Sequence, residues 1–352
     1  MNKDFWKDKT VFLTGHTGFK GGWLAHWLGL LGAKVVGISL ENNEENSFFS
    51  QTKLSEDIIC ICQDIRDRSE LGKIFQIYNP DVVFHLAAQS LVRYSYQNPI
   101  ETYETNVIGT LNILESIKEC QKKISAVIVS SDKCYKDQNW HWGYRESDTL
   151  SGHDPYSSSK ASLEILVKSY VDSYFNNNKI NEKFIATARA GNVIGGGDWA
   201  KDRLVPDIIR SINDNKTLKI RYPNAVRPWQ HVLEPLNGYI ILAETLYNRG
   251  ADFVGPYNFG PLNNSTKSVT ELIENVKLQY KNKNLNIILE ETDLHETNLL
   301  KLDISKSLDK LQWSPKWNFS KTVFHTIEWY KRYYTKSNLK DFTYKQISEF
   351  SK

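Results

Sequence analysis

Tyr156 and Lys160 stand four residues apart, in the string Tyr156-Ser157-Ser158-Ser159-Lys160, and could together transfer a proton. On a helix, this spacing places both side chains on one face. An ammonium group beside a phenol stabilises the phenolate, so the pair predicts a lowered pKa for Tyr156 and a role for it as a base. The pattern is common by chance, and its meaning depends on the elements around it.

Ser131, Asp132 and Lys133 form a second group of reactive side chains, directly after the apolar run at residues 126–129. That run predicts a buried strand, and catalytic groups of α/β sheets gather where strands end. Ser131 could bind a substrate oxygen, while the adjacent carboxyl and amine could act as acid and base with separated pKa values. A surface ion pair at a strand end is the alternative interpretation.

Glycines between the first apolar run and the first helical pattern predict a binding site for a dinucleotide. Residues 11–13 indicate a buried strand, and apolar residues recur at helical spacing from Gly21 onward. The glycine spacing allows a tight turn and lets a pyrophosphate approach the helix N-terminus. A tight turn without a ligand is the alternative. The motif consists of Gly15, His16, Thr17, Gly18, Phe19, Lys20 and Gly21.

Residues further along the chain favour NAD over NADP. Glu41 follows the second predicted strand, near where an acidic side chain binds the ribose of NAD, although it could equally be a surface residue. No arginine stands between Glu41 and Lys53 to hold a 2′-phosphate. Asp64 and Ile65 end the third predicted strand and could cap the adenine ring or form an ordinary turn. Lys160 could hold the nicotinamide ribose.

Alternating strands and helices across residues 1–190 predict the frame that positions these groups. The strands are continuously apolar, as expected when helices cover both faces of a parallel sheet. We therefore predict an α/β, Rossmann-type doubly wound sheet that binds the cofactor. Beyond Gly191 the regular alternation of strands and helices ends. Residues 191–352 predict mainly a smaller α/β cap that binds substrate, with some segments returning to the first domain.

The net charge and the composition of the whole chain argue against several classes of protein. A net charge of +3 over 352 residues argues against nucleic-acid binding. Charged residues 1–9 lack the apolar core of a signal peptide, and no stretch is long enough to span a membrane, so we expect a cytoplasmic protein. No metal site is expected. Cysteine spacing predicts small buried side chains at Cys60, Cys62, Cys120 and Cys134.

Longer strings resemble the extended short-chain dehydrogenase/reductase family, and within it the sugar-nucleotide 4,6-dehydratases. The resemblance covers most of residues 10–260. The pieces that carry it are the glycine motif, His85-Leu86-Ala87-Ala88-Gln89, Asn106, Ser131-Asp132-Lys133, the Tyr156 and Lys160 pair, and Arg189-Ala190-Gly191-Asn192-Val193. Strings typical of the CDP-glucose branch are Ser131-Asp132-Lys133-Cys134-Tyr135, Gly152-His153-Asp154-Pro155-Tyr156, Gly195-Gly196-Gly197-Asp198-Trp199 and Arg227-Pro228-Trp229-Gln230-His231-Val232.

The resemblance implies roles for further residues. Beside the glycine motif, the NAD site would include Leu86, Ala87 and Ala88. Asn192 and Arg227 are family positions for substrate contacts, and an arginine fork suits a pyrophosphate. The remaining substrate candidates are Gln89, Arg93, Arg203 and His231. Any single arginine could instead form a structural ion pair, and His231 could simply pack.

The reaction implied by the resemblance converts CDP-glucose to CDP-4-keto-6-deoxyglucose and water, with transient hydride transfer to bound NAD. Tyr156 would take the O4 proton, Lys133 would remove the C5 proton, and Asp132 would protonate O6. Other dehydratase branches place an acid where this chain has Lys133, which leaves the C5 base open. A 4,6-dehydratase for another nucleotide sugar, or an epimerase, is the alternative. The family implies a homodimer, or a tetramer, through helices at residues 105–119 and 159–174.

Overall fold

Short apolar strands form the centre of the protein. A computed structural model describes residues 2–175, 182–262, 266–281, 285–290 and 300–352. The strands are β1 (Thr10–Thr14), β2 (Lys34–Ser39), β3 (Ile59–Cys62), β4 (Val82–His85), β5 (Ile124–Val129), β6 (Lys183–Ala190), β7 (Val193–Ile194), β8 (Leu218–Ile220), β9 (Val226–Pro228), β10 (Gln230–His231), β11 (Gly255–Phe259), β12 (Thr266–Ser268) and β13 (Ile287–Leu289).

Helices connect these strands and cover both faces of the main sheet. They are α1 (Lys3–Trp6), α2 (Phe19–Leu30), α3 (Phe48–Gln51), α4 (Arg68–Tyr78), α5 (Val92–Gln97), α6 (Pro99–Tyr103), α7 (Gly109–Glu119), α8 (Pro155–Tyr170), α9 (Leu204–Asn213), α10 (Leu233–Arg249), α11 (Val269–Tyr280), α12 (Ser305–Leu311), α13 (Phe319–Tyr334) and α14 (Leu339–Ser351). Among the described residues, none of these helices is long and apolar enough to cross a membrane.

The main sheet has the strand order β11-β6-β5-β4-β1-β2-β3, with every pair parallel. Strands β1, β4 and β5 are almost entirely buried, because helices pack on both of their faces. The strand order reverses between β1 and β4, and ligands of such sheets bind at this point, beside the carboxyl ends of the strands. The predicted Rossmann-type fold is confirmed.

Several segments of the second half of the chain return to the first half. Strand β11 pairs with β6 and completes the sheet, and α14 packs on α2, the helix that follows the glycine motif. Leu339, Ile347 and Phe350 of α14 are buried, so this last helix is packed against the rest of the protein. The division into domains at residues 190 and 191 stays a prediction.

The cysteine prediction is wrong for two residues. Cys60 and Cys62 are exposed, whereas Cys134 is buried and Cys120 lies between these extremes. The physical reason is topological: β3 is the outermost strand of the sheet, so its side chains have no covering layer on that side. The apolar composition of the strand does not reveal its place at the edge.

Candidate active site

The glycine loop, residues 15–21, is closed so tightly that side chains would not fit. Gly15 has a φ of +80° and donates its N–H to the carbonyl of Ile38 at 2.7 Å. A Cβ atom on Gly15 would lie 2.8 Å from the nitrogen of Ala87, and one on Gly21 would lie 2.0 Å from the oxygen of Gly15. The glycines therefore permit the contact between β1, α2 and the segment after β4.

The first turn of α2 fits a phosphate group. Gly18 precedes the helix and is exposed, and no side chain caps the free N–H groups there. The first turn also carries no acidic residue. Together with the helix dipole, these N–H groups favour an anion. The residues present therefore fit the pyrophosphate of a dinucleotide.

The segment after β4 lies directly beside this loop. Thr14 Oγ1 accepts hydrogen bonds from the N–H groups of Leu86 and Ala87, both at 3.1 Å. The same hydroxyl lies 2.7 Å from Nδ1 of His85, a fully buried ring whose pKa burial lowers to about 3. Leu86, Ala87 and the following Ala88 are thus held beside Gly15, as their predicted role in the cofactor site requires.

The end of β2 carries a contact to the loop that the sequence did not indicate. Thr17 Oγ1 lies 2.6 Å from Ser39 Oγ, and the side-chain amide of Asn42 donates to the carbonyl of Thr17 at 3.3 Å. Glu41, the predicted ribose ligand, is exposed at this position. Ser39 and Asn42 have no sequence signature beyond their place after a strand.

Asp64 and Ile65 form a well-defined turn after β3. The carboxylate of Asp64 binds the guanidinium of Arg66 in a forked contact, with a shortest distance of 2.6 Å, and this contact lowers the pKa of Asp64. Ile65 is buried against Gly109, and Asn112 donates to its carbonyl at 2.9 Å. These contacts account for the turn, and the adenine contact stays a prediction.

The acid–base cluster, made of Ser131, Asp132, Lys133, Tyr156 and Lys160, lies where β5 ends and α8 begins. Ser131 caps the short turn Asp132–Cys134 by accepting from the N–H of Lys133 at 3.2 Å. The carboxylate of Asp154 caps α8 by accepting from the N–H of Ser157 at 2.9 Å, and Pro155 starts the helix. These two caps bring Tyr156 to Ser131, to which its hydroxyl is hydrogen-bonded.

Asp132 and Lys133 form an ion pair at the open side of the cluster. Oδ1 of Asp132 lies 3.2 Å from Nζ of Lys133 and accepts from the hydroxyl of Ser131 at 3.2 Å. The side chain of Asp132 is 1% exposed, whereas that of Lys133 is 37% exposed. Burial lowers the pKa of Lys133, but Asp132 and Tyr156 outweigh it, so the pKa is raised. A surface ion pair is therefore the wrong interpretation, because the carboxyl is buried.

The predicted pKa of Tyr156 is wrong for the free protein. Burial raises this pKa, and the hydrogen bond with Ser131 and the charge of Lys133 only partly offset that effect. Lys160, the expected partner, donates to the carbonyl of Val129 at 3.2 Å. Burial lowers the pKa of Lys160 to about 8. The cations that favour the Tyr156 phenolate in the free protein are therefore Lys133 and Arg203.

Cationic side chains surround this cluster. Arg203 is held by Asp198 at 2.9 Å and by the hydroxyl of Ser90 at 3.3 Å, and its charge acts on both Tyr156 and Lys20. Burial, together with the charges of the surrounding cations, lowers the pKa of Lys20 to about 8. Such an excess of positive charge fits anionic ligands such as pyrophosphates. Asp198, which orients Arg203, belongs to the string Gly195-Gly196-Gly197-Asp198-Trp199, but that string did not indicate its contact with Arg203.

The other two predicted arginines, Arg227 and Arg93, differ in how deeply they are buried and in how close they lie to the acid–base cluster. Arg227 is 6% exposed, donates to the carbonyl of Val226 at 3.0 Å and acts electrostatically on Lys133, so it belongs to the same cluster of charge. Arg93 is 37% exposed and lies 3.5 Å from Asp202, at the rim of the site.

The other three predicted substrate residues differ in their hydrogen bonds and in their burial. Gln89 uses its side-chain amide within its own loop, donating to Thr102 at 2.9 Å and accepting from the N–H of Leu91 at 2.5 Å. Asn192 Oδ1 is buried without a hydrogen-bond partner among the described residues, and thus stays a substrate candidate. The prediction for His231 is corrected: the ring is fully buried beside Trp317, with centroids 4.8 Å apart, and packs in the core.

Known proteins resemble this chain over nearly its whole length. The sequence model of the family described as GDP-mannose 4,6 dehydratase matches residues 12–326. The CDP-glucose 4,6-dehydratase of Salmonella typhimurium is 42% identical over 352 residues, which cover 99% of this chain and 98% of that protein.

Solved structures agree in fold. The dTDP-glucose 4,6-dehydratase of Bacillus anthracis in complex with NAD superposes with a TM-score of 0.77 at 22% identity, covering 92% of this chain and 97% of that one. The UDP-glucose 4-epimerase of Thermotoga maritima with UDP-glucose gives a TM-score of 0.80 at 21% identity, covering 92% and 99%. Because the family match spans most of the sequence and one relative is similar throughout, this chain belongs to the GDP-mannose 4,6-dehydratase family.

Proposed function

We propose that this protein is a lyase that converts CDP-glucose to CDP-4-keto-6-deoxyglucose and water. The observation that carries the proposal is the buried Asp132 paired with Lys133, beside Tyr156 and next to a glycine loop that fits a dinucleotide. The 42% identity with the CDP-glucose 4,6-dehydratase of Salmonella typhimurium supports CDP-glucose as the substrate.

NAD is the proposed cofactor, and when bound it supplies the reversible oxidation of the sugar at C4. The glycine loop would hold its pyrophosphate at the N-terminus of α2. Lys160, whose Nζ donates to the carbonyl of Val129, would hold the nicotinamide ribose. Ser131 and Tyr156 would bind O4 of the sugar, and Tyr156 would take its proton.

Asp132 and Lys133 can supply an acid and a base from one ion pair. An aspartate with a lysine ammonium holds the same number of protons as an aspartic acid with a neutral lysine. One proton moved across the 3.2 Å contact therefore gives the amine that removes the C5 proton and the acid that protonates O6. A bound sugar would exclude water from the pair, and exclusion of water favours its neutral form. This accounts for a base whose pKa is raised in the free protein.

An epimerase is the second candidate, because the epimerase of Thermotoga maritima has the same fold. Epimerisation at C4 leaves O6 in place and needs no acid and base at C5 and C6. A buried carboxyl paired with an amine favours the dehydratase.

A homodimer is also proposed. Exposed apolar side chains on and next to the helices expected to pair support it, namely Ile100, Tyr103, Ile108, Ile165 and Tyr174. Helix pairing would cover these side chains, since apolar patches on a single chain commonly mark interfaces.

Product analysis tests the function directly. The NAD-loaded protein is incubated separately with CDP-, dTDP-, GDP- and UDP-hexoses, and the products are identified by NMR. A 4-keto-6-deoxy sugar formed from CDP-glucose is the expected result. The same chemistry on another nucleotide only would overturn the choice of CDP, and a stereoisomer with O6 intact would identify an epimerase.

A further inference from the structure

Ser95 lies against the first turn of α8, although no sequence pattern singled it out. It belongs to α5, a helix of 6 residues, and its side chain has no exposed surface. Its hydroxyl donates to the carbonyl of Val92 at 2.6 Å and accepts from the backbone N–H of Tyr156 at 3.1 Å. Because the single hydrogen of the hydroxyl is used at Val92, its oxygen acts at Tyr156 only as an acceptor.

The backbone N–H of Tyr156 depends on a more distant partner than its neighbours do. The first N–H groups of a helix have no partner within the helix. Asp154 accepts from the N–H groups of Ser157 and Ser158, each at 2.9 Å, so both are satisfied within the same turn. The partner of the Tyr156 N–H is instead Ser95, which stands 61 residues earlier in the chain. Helix α5 therefore helps to set where the first turn of α8 lies.

The other polar groups of Tyr156 are held as well. Its carbonyl accepts from the hydroxyl of Ser159 at 2.7 Å, and the side-chain amide of Asn106 donates to that hydroxyl at 2.9 Å. Its phenolic hydroxyl is hydrogen-bonded to Ser131. Tyr156 is therefore fixed at its N–H, at its carbonyl and at its hydroxyl, as a group that must stay at one distance from a reacting atom requires.

We propose that Ser95 is a positioning residue for Tyr156 and keeps the phenol where it can take the O4 proton. Without the hydroxyl of Ser95, the buried N–H of Tyr156 loses its acceptor, which is costly enough to shift the first turn of α8. Such a shift moves the phenol, whereas Asp132 and Lys133 follow β5 and stay in place. The role rests on the proposed function, since it requires that Tyr156 take this proton.

The test removes the acceptor, in Ser95→Ala. We expect kcat for dehydration to fall about tenfold, the effect of one hydrogen bond lost from the group that transfers the proton. KM should change by less than about twofold, because a contact that positions Tyr156 acts on the transition state and not on substrate binding.

A single turnover separates positioning from a loss of folded protein. The NAD-loaded protein, in saturating excess over CDP-glucose, is quenched in alkali at successive times, and the 4-keto-6-deoxy sugar is measured by its ultraviolet absorbance. Partial unfolding lowers the amount of active protein but leaves the rate constant unchanged. A displaced phenol lowers the rate constant itself, by the same factor of about ten.

Two further variants complete the test. In Ser116→Ala the same buried hydroxyl is lost, but its contact at 2.9 Å is with the carbonyl of Asn112 and stays within α7, so the rate constant should remain within about twofold of the parent. Ser95→Cys fills a similar space with a weaker acceptor, so its rate constant should fall by about threefold. This variant decides the question if Ser95→Ala does not fold.

The outcomes for Ser95 and for the proposed function are distinct. Parental rate constants in the Ser95 variants that fold, or an equal loss in Ser116→Ala, overturn the role of Ser95 alone. Failure of the parent to release water from CDP-glucose overturns the proposed function and this role with it.

Discussion

The glycine loop and the acid–base cluster lie side by side at the same edge of the sheet, yet they depend on opposite physical properties. At Gly15 and Gly21 the site exists because side chains are missing, and backbone atoms fill the space instead. At Asp132, Lys133 and Tyr156 the site exists because charged and polar side chains are crowded together, with Asp132 and Tyr156 buried. Changes in the loop should therefore act by sterics, and changes in the cluster by protonation.

The largest expected effect is in the cluster. Lys133→Met should lower kcat for water elimination about a thousandfold, because it removes the only base that the Asp132 pair can form. The measurement is formation of the 4-keto-6-deoxy sugar, followed by its ultraviolet absorbance in alkali. Lys136→Met is the control, since Lys136 is exposed three residues along the chain and should keep parental activity. Elimination at the parental rate in Lys133→Met would exclude Lys133 as the base.

The next effect is steric and belongs to the loop. In Gly21→Ala, the new Cβ would meet the oxygen of Gly15 at 2.0 Å, so the loop must open. We expect NAD affinity to fall about a hundredfold, as overpacking of this kind costs up to about 3 kcal/mol. Because the clash is steric and no titrating group takes part in it, this loss of affinity should not vary with pH. Binding is followed by titration of the free protein with NAD.

Gly29→Ala is the control for that experiment. Gly29 lies on the same helix, but no atom stands within 4 Å of a Cβ there. Alanine also favours a helix over glycine by up to about 1 kcal/mol. The control should bind NAD like the parent and be slightly more stable. Equal losses of affinity in both glycine variants would mean that helix α2, not loop closure, governs binding.

The two regions also differ in how far the sequence could predict them. The glycine loop depends on local geometry, so the spacing of Gly15, Gly18 and Gly21 after an apolar strand was enough to place it. The pairing of Tyr156 with Lys160 on α8 was also local, and both are where the pattern predicted. The cations that act on Tyr156 are instead Lys133, which follows β5, and Arg203. Two caps set how β5 and α8 meet.

The predictions that failed depend on contacts between distant parts of the chain. The string that contains His231 suggested a substrate contact. In the structure, the ring of His231 packs against His325 of α13 and against Trp317, which lies just before α13. Cys60 was predicted to be buried because its strand is apolar, but the strand order places β3 at the edge of the sheet.

The smallest expected effect separates stability from activity within the cluster. Lys160 is 4% exposed, and burial lowers its pKa from 10.5 to about 8. At pH 7 the folded protein must hold a proton that burial disfavours, so Lys160→Met should inactivate the protein yet raise the free energy of unfolding. The gain should be at most about 3 kcal/mol, and about 2 kcal/mol once the lost hydrogen bond to Val129 is counted.

The pH dependence of the gain in unfolding free energy shows whether relief of the buried charge causes it. A lysine with a lowered pKa destabilises the folded state fully below pH 8, and the penalty disappears as the pH approaches 10.5, where the unfolded chain also loses its proton. The difference in unfolding free energy between Lys160→Met and the parent should therefore be largest at pH 7 and shrink by pH 10. Urea unfolding of both proteins without NAD measures it. A difference that does not vary with pH would mean that packing of the methionine, not relief of a buried charge, stabilises the variant, and the cluster would then resemble the glycine loop in depending on sterics.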